Sequence, residues 1–365
     1  MCRKAWRFKS SVPHYDRASP QGLSDFFSAD HRLTGASPGD RISARGGPVA
    51  RRSNNQPQRP LVIFLHIPKT GGTTFEAILK RAYGEDNVLA FDLAAINDAE
   101  GARRARQAAR AARRCSFIRG HFPMGLRLHE SIARPCTYIT WLRDPIERMI
   151  SEYHFILRYP PHPAHAPVHR DKMTLKDYLL SEWAAGTDNY MTRFLCNQAP
   201  DARDADWACS PAMLASARAN LDRFFPVVAL MEHFDESLLL LQSHFGWRLP
   251  LYVKENVTHN RPPLADLPGP TLQILQDLNR YDLSLYAHAC GRFAGQLGAL
   301  DRDAFDRRLR GFRLLNRTYG RVRTGEQLYR ELAERWHRSL NRYRAYEGKV
   351  RSTVKRAVLG LLNSK

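Results

Sequence analysis

An α/β fold with a central parallel sheet flanked by helices is predicted by three stretches of this sequence. The first, 61–65, is a continuous run of branched and aromatic apolar residues that stops at Pro68 and passes through two glycines into a helical pattern. The second, 115–118, resumes a strand pattern and ends in Arg119-Gly120-His121. The third, 137–142, is full of β-formers and gives way at Asp144-Pro145 to another helical run. Apolar strands that each feed a helix belong to a sheet buried on both faces.

The elements follow in order. Residues 1–59 hold Pro, Gly, Ser, Arg and Asn clusters with neither strand nor helix period, and read as a disordered basic N-terminal segment. After the first strand, Phe75, Ile78, Leu79 and Ala82 share one helix face, and Gly84 is a natural stop. A short strand is expected at 88–91. The stretch 99–114 is almost wholly Ala and Arg and reads as a crossover helix with a solvated face, with a rail for an anionic polysaccharide as the rival reading. Asp144 is a good N-cap and Pro145 a good first helical residue, which starts a helix running to about 157. Helices are expected at 173–183, 214–224, 234–245 (with Gly246 as its stop) and 272–289, and a late buried strand at 225–231. This places a domain at 60–300. Beyond it, 301–365 reads as a basic helical extension, ending in an amphipathic helix at 346–362.

The net charge of +20 on 365 residues is unevenly placed. Residues 1–59 hold 11 Lys/Arg against 4 Asp/Glu, and 301–365 hold 18 against 7, whereas 60–300 hold 27 against 25. The core is nearly neutral and the ends are basic. Such ends suit sulfated glycans, nucleic acid or an anionic membrane surface, and composition alone does not choose among them. Six cysteines are scattered without C-x-x-C or Cys/His metal spacing, so reduced thiols are expected; a Cys196–Cys209 bridge is the alternative in an oxidising compartment. No apolar run approaches the ~20 residues of a membrane helix, and the basic N-terminus lacks an apolar h-region. These absences favour a cytoplasmic or peripheral-membrane location and do not support the Golgi lumen.

The chemistry concentrates after the first strand. A strand, a tight turn and a helix aim backbone N–H groups and a positive dipole end at an anion. Gly71 and Gly72 allow positive φ and close approach of a phosphate, Lys69 adds a point charge, and Thr70, Thr73 and Thr74 add hydroxyl donors. The lysine precedes the glycines, as P-K-T-G-G-T-T, unlike the G-x-x-x-x-G-K-[ST] of ATP-type loops. Arg143 lies at a predicted strand tip and Ser151 two turns along the next helix, a guanidinium and a hydroxyl suited to one phosphate dianion. His121 lies just past another strand end, where doubly wound sheets bind ligands.

These residues resemble the PAPS-dependent sulfotransferases (PAPS being 3′-phosphoadenosine 5′-phosphosulfate), and among them the family 2 carbohydrate enzymes, including the heparan and uronyl 2-O-sulfotransferases. The likeness covers about 60–300. It implies a P-loop-like three-layer sandwich in which Lys69 and residues 70–74 hold the phosphosulfate. It also implies that Arg143 and Ser151, within R-D-P-x-x-R-x-x-S, hold the 3′-phosphate. His121, in a Gly-His pair, matches the catalytic base, and Lys69 matches the residue that neutralises charge on the leaving group. The implied reaction moves a sulfuryl group from PAPS to a carbohydrate hydroxyl, releases PAP and requires no metal. A glycan acceptor is implied and no nucleic acid, with membrane contact through 346–362 as a further expectation. Arg193 becomes a candidate acceptor contact, the His/Pro-rich stretch 160–169 a flexible acceptor-side loop, and 254–263 a loop that helps to close over the nucleotide. Eukaryotic members of the resembled family are Golgi type II membrane proteins, an anchor not seen here. Two rivals stand beside this reading. One is a P-loop kinase or NTPase, and the other is a non-catalytic glycan-binding protein on a sulfotransferase core.

Overall fold

The computed structural model describes residues 60–84, 87–91, 99–111, 115–198, 208–253 and 264–323. The first strand, β1 (Leu61–Leu65), is wholly buried. It is flanked by β3 (Phe117–Gly120) and β4 (Cys136–Ile139), with β2 (Val88–Phe91) outside β3, in the order β2-β3-β1-β4. Every pairing is parallel. The chain continues from β4 through Thr140 into β5 (Trp141–Leu142), which pairs in parallel with β6 (Ala229–Leu230). Thr140 interrupts the strand because its hydroxyl donates to the carbonyl of Leu65 at 2.8 Å. The run 136–142 therefore pairs with β1 through its first half and with β6 through its second. Because β2 and β3 lie on one side of β1 and β4 on the other, the direction of winding switches at β1. In open sheets that point, at the carboxyl ends of the strands, is where ligands bind.

Helices follow the strands as the pattern predicts. The helix after β1 is α1 (Gly72–Tyr83), and α2 (Ala99–Ala111) is the Ala/Arg helix. On α2, Ala105 and Ala109 are buried while Arg103, Arg104 and Arg110 are exposed, as expected of a crossover helix. After β5 comes α3 (Pro145–Ile156), whose first turn is capped by the Asp144 carboxylate accepting from the amides of Ile146 and Glu147. Then come α4 (His165–Arg170), α5 (Leu175–Leu180), α6 (Tyr190–Leu195), α7 (Pro211–Phe224) and α8 (Phe234–Phe245). Gly246 closes α8 with φ 66°, the left-handed stop predicted for it.

Several expectations are corrected. The helix expected at 272–289 is two helices, α9 (Gly269–Leu278) and α10 (Arg280–Gly298). They part at the buried Asn279, whose side-chain amide donates back to the Leu275 carbonyl. The late strand shrinks to two residues. The His/Pro-rich stretch is in part helical: His165 and His169 bond the carbonyls of Ile156 and Leu157 and so cap the end of α3. The helix α11, at 302–323, packs on the core through Phe305, Leu309 and Phe312 and ties to α8 through Arg313 with Asp235 and Glu236. The expected helix at 346–362, the N-terminal segment 1–59 and the loop 254–263 lie outside the described residues. No helix among the described residues is long and apolar enough to cross a membrane. Cys196 and Cys209 are both buried free thiols.

A buried polar network joins α3, α6 and α10. Asp282 is completely buried and accepts from the amides of Met191 and Thr192 and from the Thr192 hydroxyl, at 2.9, 2.7 and 2.7 Å. Burial pushes its carboxyl pKa up, while Arg148 and these three donors pull the other way. Arg148, also buried, donates to the Thr187 carbonyl and lies over the Tyr190 ring. Replacing Asp282 by Ala strands two buried amides and should cost on the order of 3 kcal/mol. A urea unfolding midpoint unchanged in Asp282→Ala would show that the network does not hold these helices together.

Candidate functional site

The site is the carboxyl edge of the sheet, and three strand ends build it. The loop after β1 turns sharply, with Lys69 at φ 69° and Gly71 at φ 88°. A left-handed conformation is unusual for a lysine, and here it accompanies the turn that brings the chain into α1. Gly71 also has no room for a side chain, since a Cβ would lie 2.3 Å from the Met231 sulfur. Gly72 is already helical. Its missing Cβ makes room for the His66 ring, which such an atom would meet at 1.9 Å. The second glycine thus makes room for the His66 ring. Thr70 is corrected as well: it is fully buried, and its hydroxyl donates to the Ile67 carbonyl at 2.8 Å, which staples the turn. Thr74 is buried, whereas Thr73 is exposed in the first turn of α1.

His121, just past β3, stands against this loop. Its Nδ1 is 2.8 Å from the His66 carbonyl oxygen. A carbonyl only accepts, so Nδ1 carries the proton and the basic lone pair lies on Nε2. The His66 ring packs on His121, with centroids 4.2 Å apart, and stacks on Phe64. Burial first, then the neighbouring His121, Arg119 and Lys69, lower the His66 pKa to about 3, so this ring stays neutral at physiological pH.

From the other side, Arg143 at the tip of β5 donates to the Lys69 carbonyl at 3.1 Å and pairs with Glu147 at 3.5 Å. Asp144, next to it, is engaged as the cap of α3 rather than as an ion partner of Arg143. Lys69, His121 and Arg143 are thus brought together on one loop. Ser151 lies half-buried on α3, two turns from Asp144. Arg193 is drawn away: its Nη2 donates to both Asp188 carboxylate oxygens at 2.7 and 2.9 Å, its Nε donates to the Asp188 carbonyl, and the side chain is 6% exposed, which makes it structural.

Three neighbours of Lys69 were not singled out from the sequence. Its ammonium lies 3.8 Å from the centroid of the Phe155 ring. Glu152 faces it from the preceding turn of α3, with His162 3.9 Å from that carboxylate. Burial lowers the Lys69 pKa to about 8; the Glu152 charge opposes the shift, and Arg158, Arg143 and Arg148 add to it. The only signal available was spacing: Arg148, Glu152, Phe155 and Tyr159 recur at three- and four-residue intervals, one face of a helix. Among the described residues no group of three or more His, Cys, Asp or Glu is arranged to hold a metal ion.

The family model described as galactose-3-O-sulfotransferase matches residues 18–349. The chain belongs to the galactose-3-O-sulfotransferase family. Its relatives include the human galactose-3-O-sulfotransferase 3, 28% identical over 75% of this chain and 66% of that protein. Bovine galactosylceramide sulfotransferase is 27% identical over 57% of this chain and 49% of its own length, and the mouse protein of that name 27% over 72% and 63%. The chain spans about two thirds or less of the length of these relatives. The resemblance to a family of carbohydrate sulfotransferases is borne out, with galactose in place of uronic acid in the family's name. The expected cytoplasmic or peripheral-membrane location is overturned. It rested on a missing anchor, whereas the matched sulfotransferases are of the Golgi type, and the lack of a membrane helix among the described residues does not exclude that lumen.

The environment of Lys69 is open to direct measurement. With the lysines carbon-13 methylated and followed by NMR, one resonance should titrate near pH 8 rather than near 10.5, and Glu152→Gln should move it lower still. A Lys69 that titrates with the surface lysines would contradict the buried, arginine-ringed setting.

Proposed function

We propose that this protein is a PAPS-dependent sulfotransferase that places a sulfuryl group on a galactose hydroxyl of a glycan or glycolipid and releases PAP. The observation that carries the reading is the convergence of Lys69, His121 and Arg143 on one loop at the carboxyl edge of the sheet. The strand order, with β1 central and followed by the anion-binding turn, supports a P-loop-like sandwich spanning 60–300, with basic segments 1–59 and 301–365 on either side.

Two features fit the donor. The first turn of α1 has no side-chain cap and no acidic residue, so its amides and dipole suit an external anion, whereas α3 carries its own carboxylate cap. Among the described residues the Lys69 ammonium has no ion-pair partner within 4 Å, and it stands among Arg143, Arg148 and Arg158. PAPS would supply an activated sulfuryl group whose departure leaves PAP. Lys69 and the amides of 70–74 would hold the phosphosulfate end and neutralise charge on the leaving oxygen. Of the hydroxyls, Thr73 is the exposed one in that turn. Arg143 and Ser151 would hold the 3′-phosphate, with Arg143 turning from Glu147 to do so. His121, its Nδ1 proton held by the His66 carbonyl, would accept the acceptor's hydroxyl proton on Nε2. His66, neutral at working pH, keeps that ring in place without adding charge.

The test is transfer from labelled PAPS to β-galactosides. His121→Ala should lower kcat by about 10²–10⁴-fold and Lys69→Ala by about 10²–10³-fold. A wild type that neither binds PAP nor transfers the label defeats the reading and leaves a glycan-binding protein on the same core. Transfer of phosphate from ATP would favour a kinase. Full turnover by His121→Ala would remove only the base assignment.

A further inference from the structure

We infer that the outer face of the Phe155 ring, backed by the stacked ring of Tyr159, forms the platform for an acceptor galactose ring, and that Lys69 covers this face until the donor binds; the inference rests on the sulfotransferase reading above. The two rings lie one helical turn apart at the end of α3, with centroids 4.9 Å apart and planes 20° from parallel. Tyr159 is 45% exposed and is the one aromatic among the exposed large apolar side chains of the described residues. The patch is continuous with the donor end of the site, because the Lys69 ammonium lies 3.8 Å from the Phe155 centroid. His162 meets the Phe155 ring edge-on, with centroids 6.2 Å apart, and brings polar groups to the rim together with Glu152.

The occupant follows from chemistry. Galactose carries its 4-hydroxyl axially, so the C–H groups at carbons 3, 4 and 5 lie together on the opposite face as an apolar patch. That face stacks on the negative face of an aromatic ring, as other polarised C–H groups and cations do. An equatorial 3-hydroxyl lies at the rim of a ring stacked this way, where a base can reach it. The ammonium and the sugar compete for Phe155, so the ring is covered while Lys69 rests on it. Once the ammonium turns to an anion, that face is uncovered. The aromatic pair therefore couples donor binding to acceptor binding, with the donor first.

The test uses the 365-residue chain with lactose as acceptor, PAPS as donor in the kinetics and PAP in the binding measurements. In initial-rate kinetics with PAPS as donor, Phe155→Leu should raise the KM for lactose about tenfold and Tyr159→Leu about threefold, with kcat changed by less than about threefold and PAP bound no more weakly than by wild type. Phe155→Tyr, which keeps a ring, should restore the wild-type KM. Saturation-transfer NMR should show lactose contacting aromatic protons more strongly with PAP present than without it. Leucine variants that keep the lactose KM within about twofold, or that change PAP affinity alone, would overturn the inference and leave Phe155 as a rest for Lys69 only. A wild type that fails to bind PAP is a separate result, which overturns the donor reading itself.

Discussion

Four carbonyl oxygens at the end of the first strand hold this site together. Leu65, His66, Ile67 and Lys69 each accept a side-chain hydrogen bond, from Thr140, His121, Thr70 and Arg143 at 2.8, 2.8, 2.8 and 3.1 Å. A chain that leaves a sheet loses the ladder partners of its backbone groups, and buried carbonyls without partners are costly. Here residues at the tips of β3, β4 and β5 supply three of the missing donors, and the loop itself supplies the fourth. The bonds that close the fold therefore also choose the His121 tautomer and set Arg143 beside the loop.

The electrostatics follow from the same closure. Because the turn is partly buried and faces three arginines, Lys69 loses solvation with no carboxylate among the described residues within ion-pair distance, and its pKa falls to about 8. The Phe155 ring is a modest substitute for water, worth roughly 0.5–2 kcal/mol to a cation. An anion placed at the open first turn of α1 would relieve both the desolvation and the repulsion among like charges. In the proposed function, that relief is what the donor's phosphosulfate provides, and moving Lys69 is what exposes the Phe155 ring.

The first strand was the most legible, because a strand buried on both faces carries no polar interruption, as 61–65 shows. The Asp144-Pro145 cap was equally legible, since the backbone amides it satisfies follow it in sequence. What escaped depends on contacts between distant segments. Thr70 reads as a free hydroxyl until the Ile67 carbonyl is seen beneath it, and the packing of the His66 ring against Gly72 has no signal in the sequence. The break at Asn279 comes from a side chain that bonds the backbone it interrupts, an option open to every asparagine and taken by few. Arg193 reads as an acceptor contact, but Asp188, five residues away, pairs with it. The location was misjudged for a different reason: a missing apolar segment is weak ground beside relatives of known type.

In the proposed function, one end of this loop binds a 5′-phosphate or phosphosulfate and the Arg143 end a 3′-phosphate. Calorimetry with PAP and with adenosine 5′-monophosphate, which lacks only the 3′-phosphate, tests it most directly. Wild type should prefer PAP by about 100-fold, and Arg143→Ala should remove most of that preference while leaving the weaker binding of the monophosphate nearly unchanged. Equal affinity for the two nucleotides in wild type, or an undiminished preference in Arg143→Ala, would contradict the account.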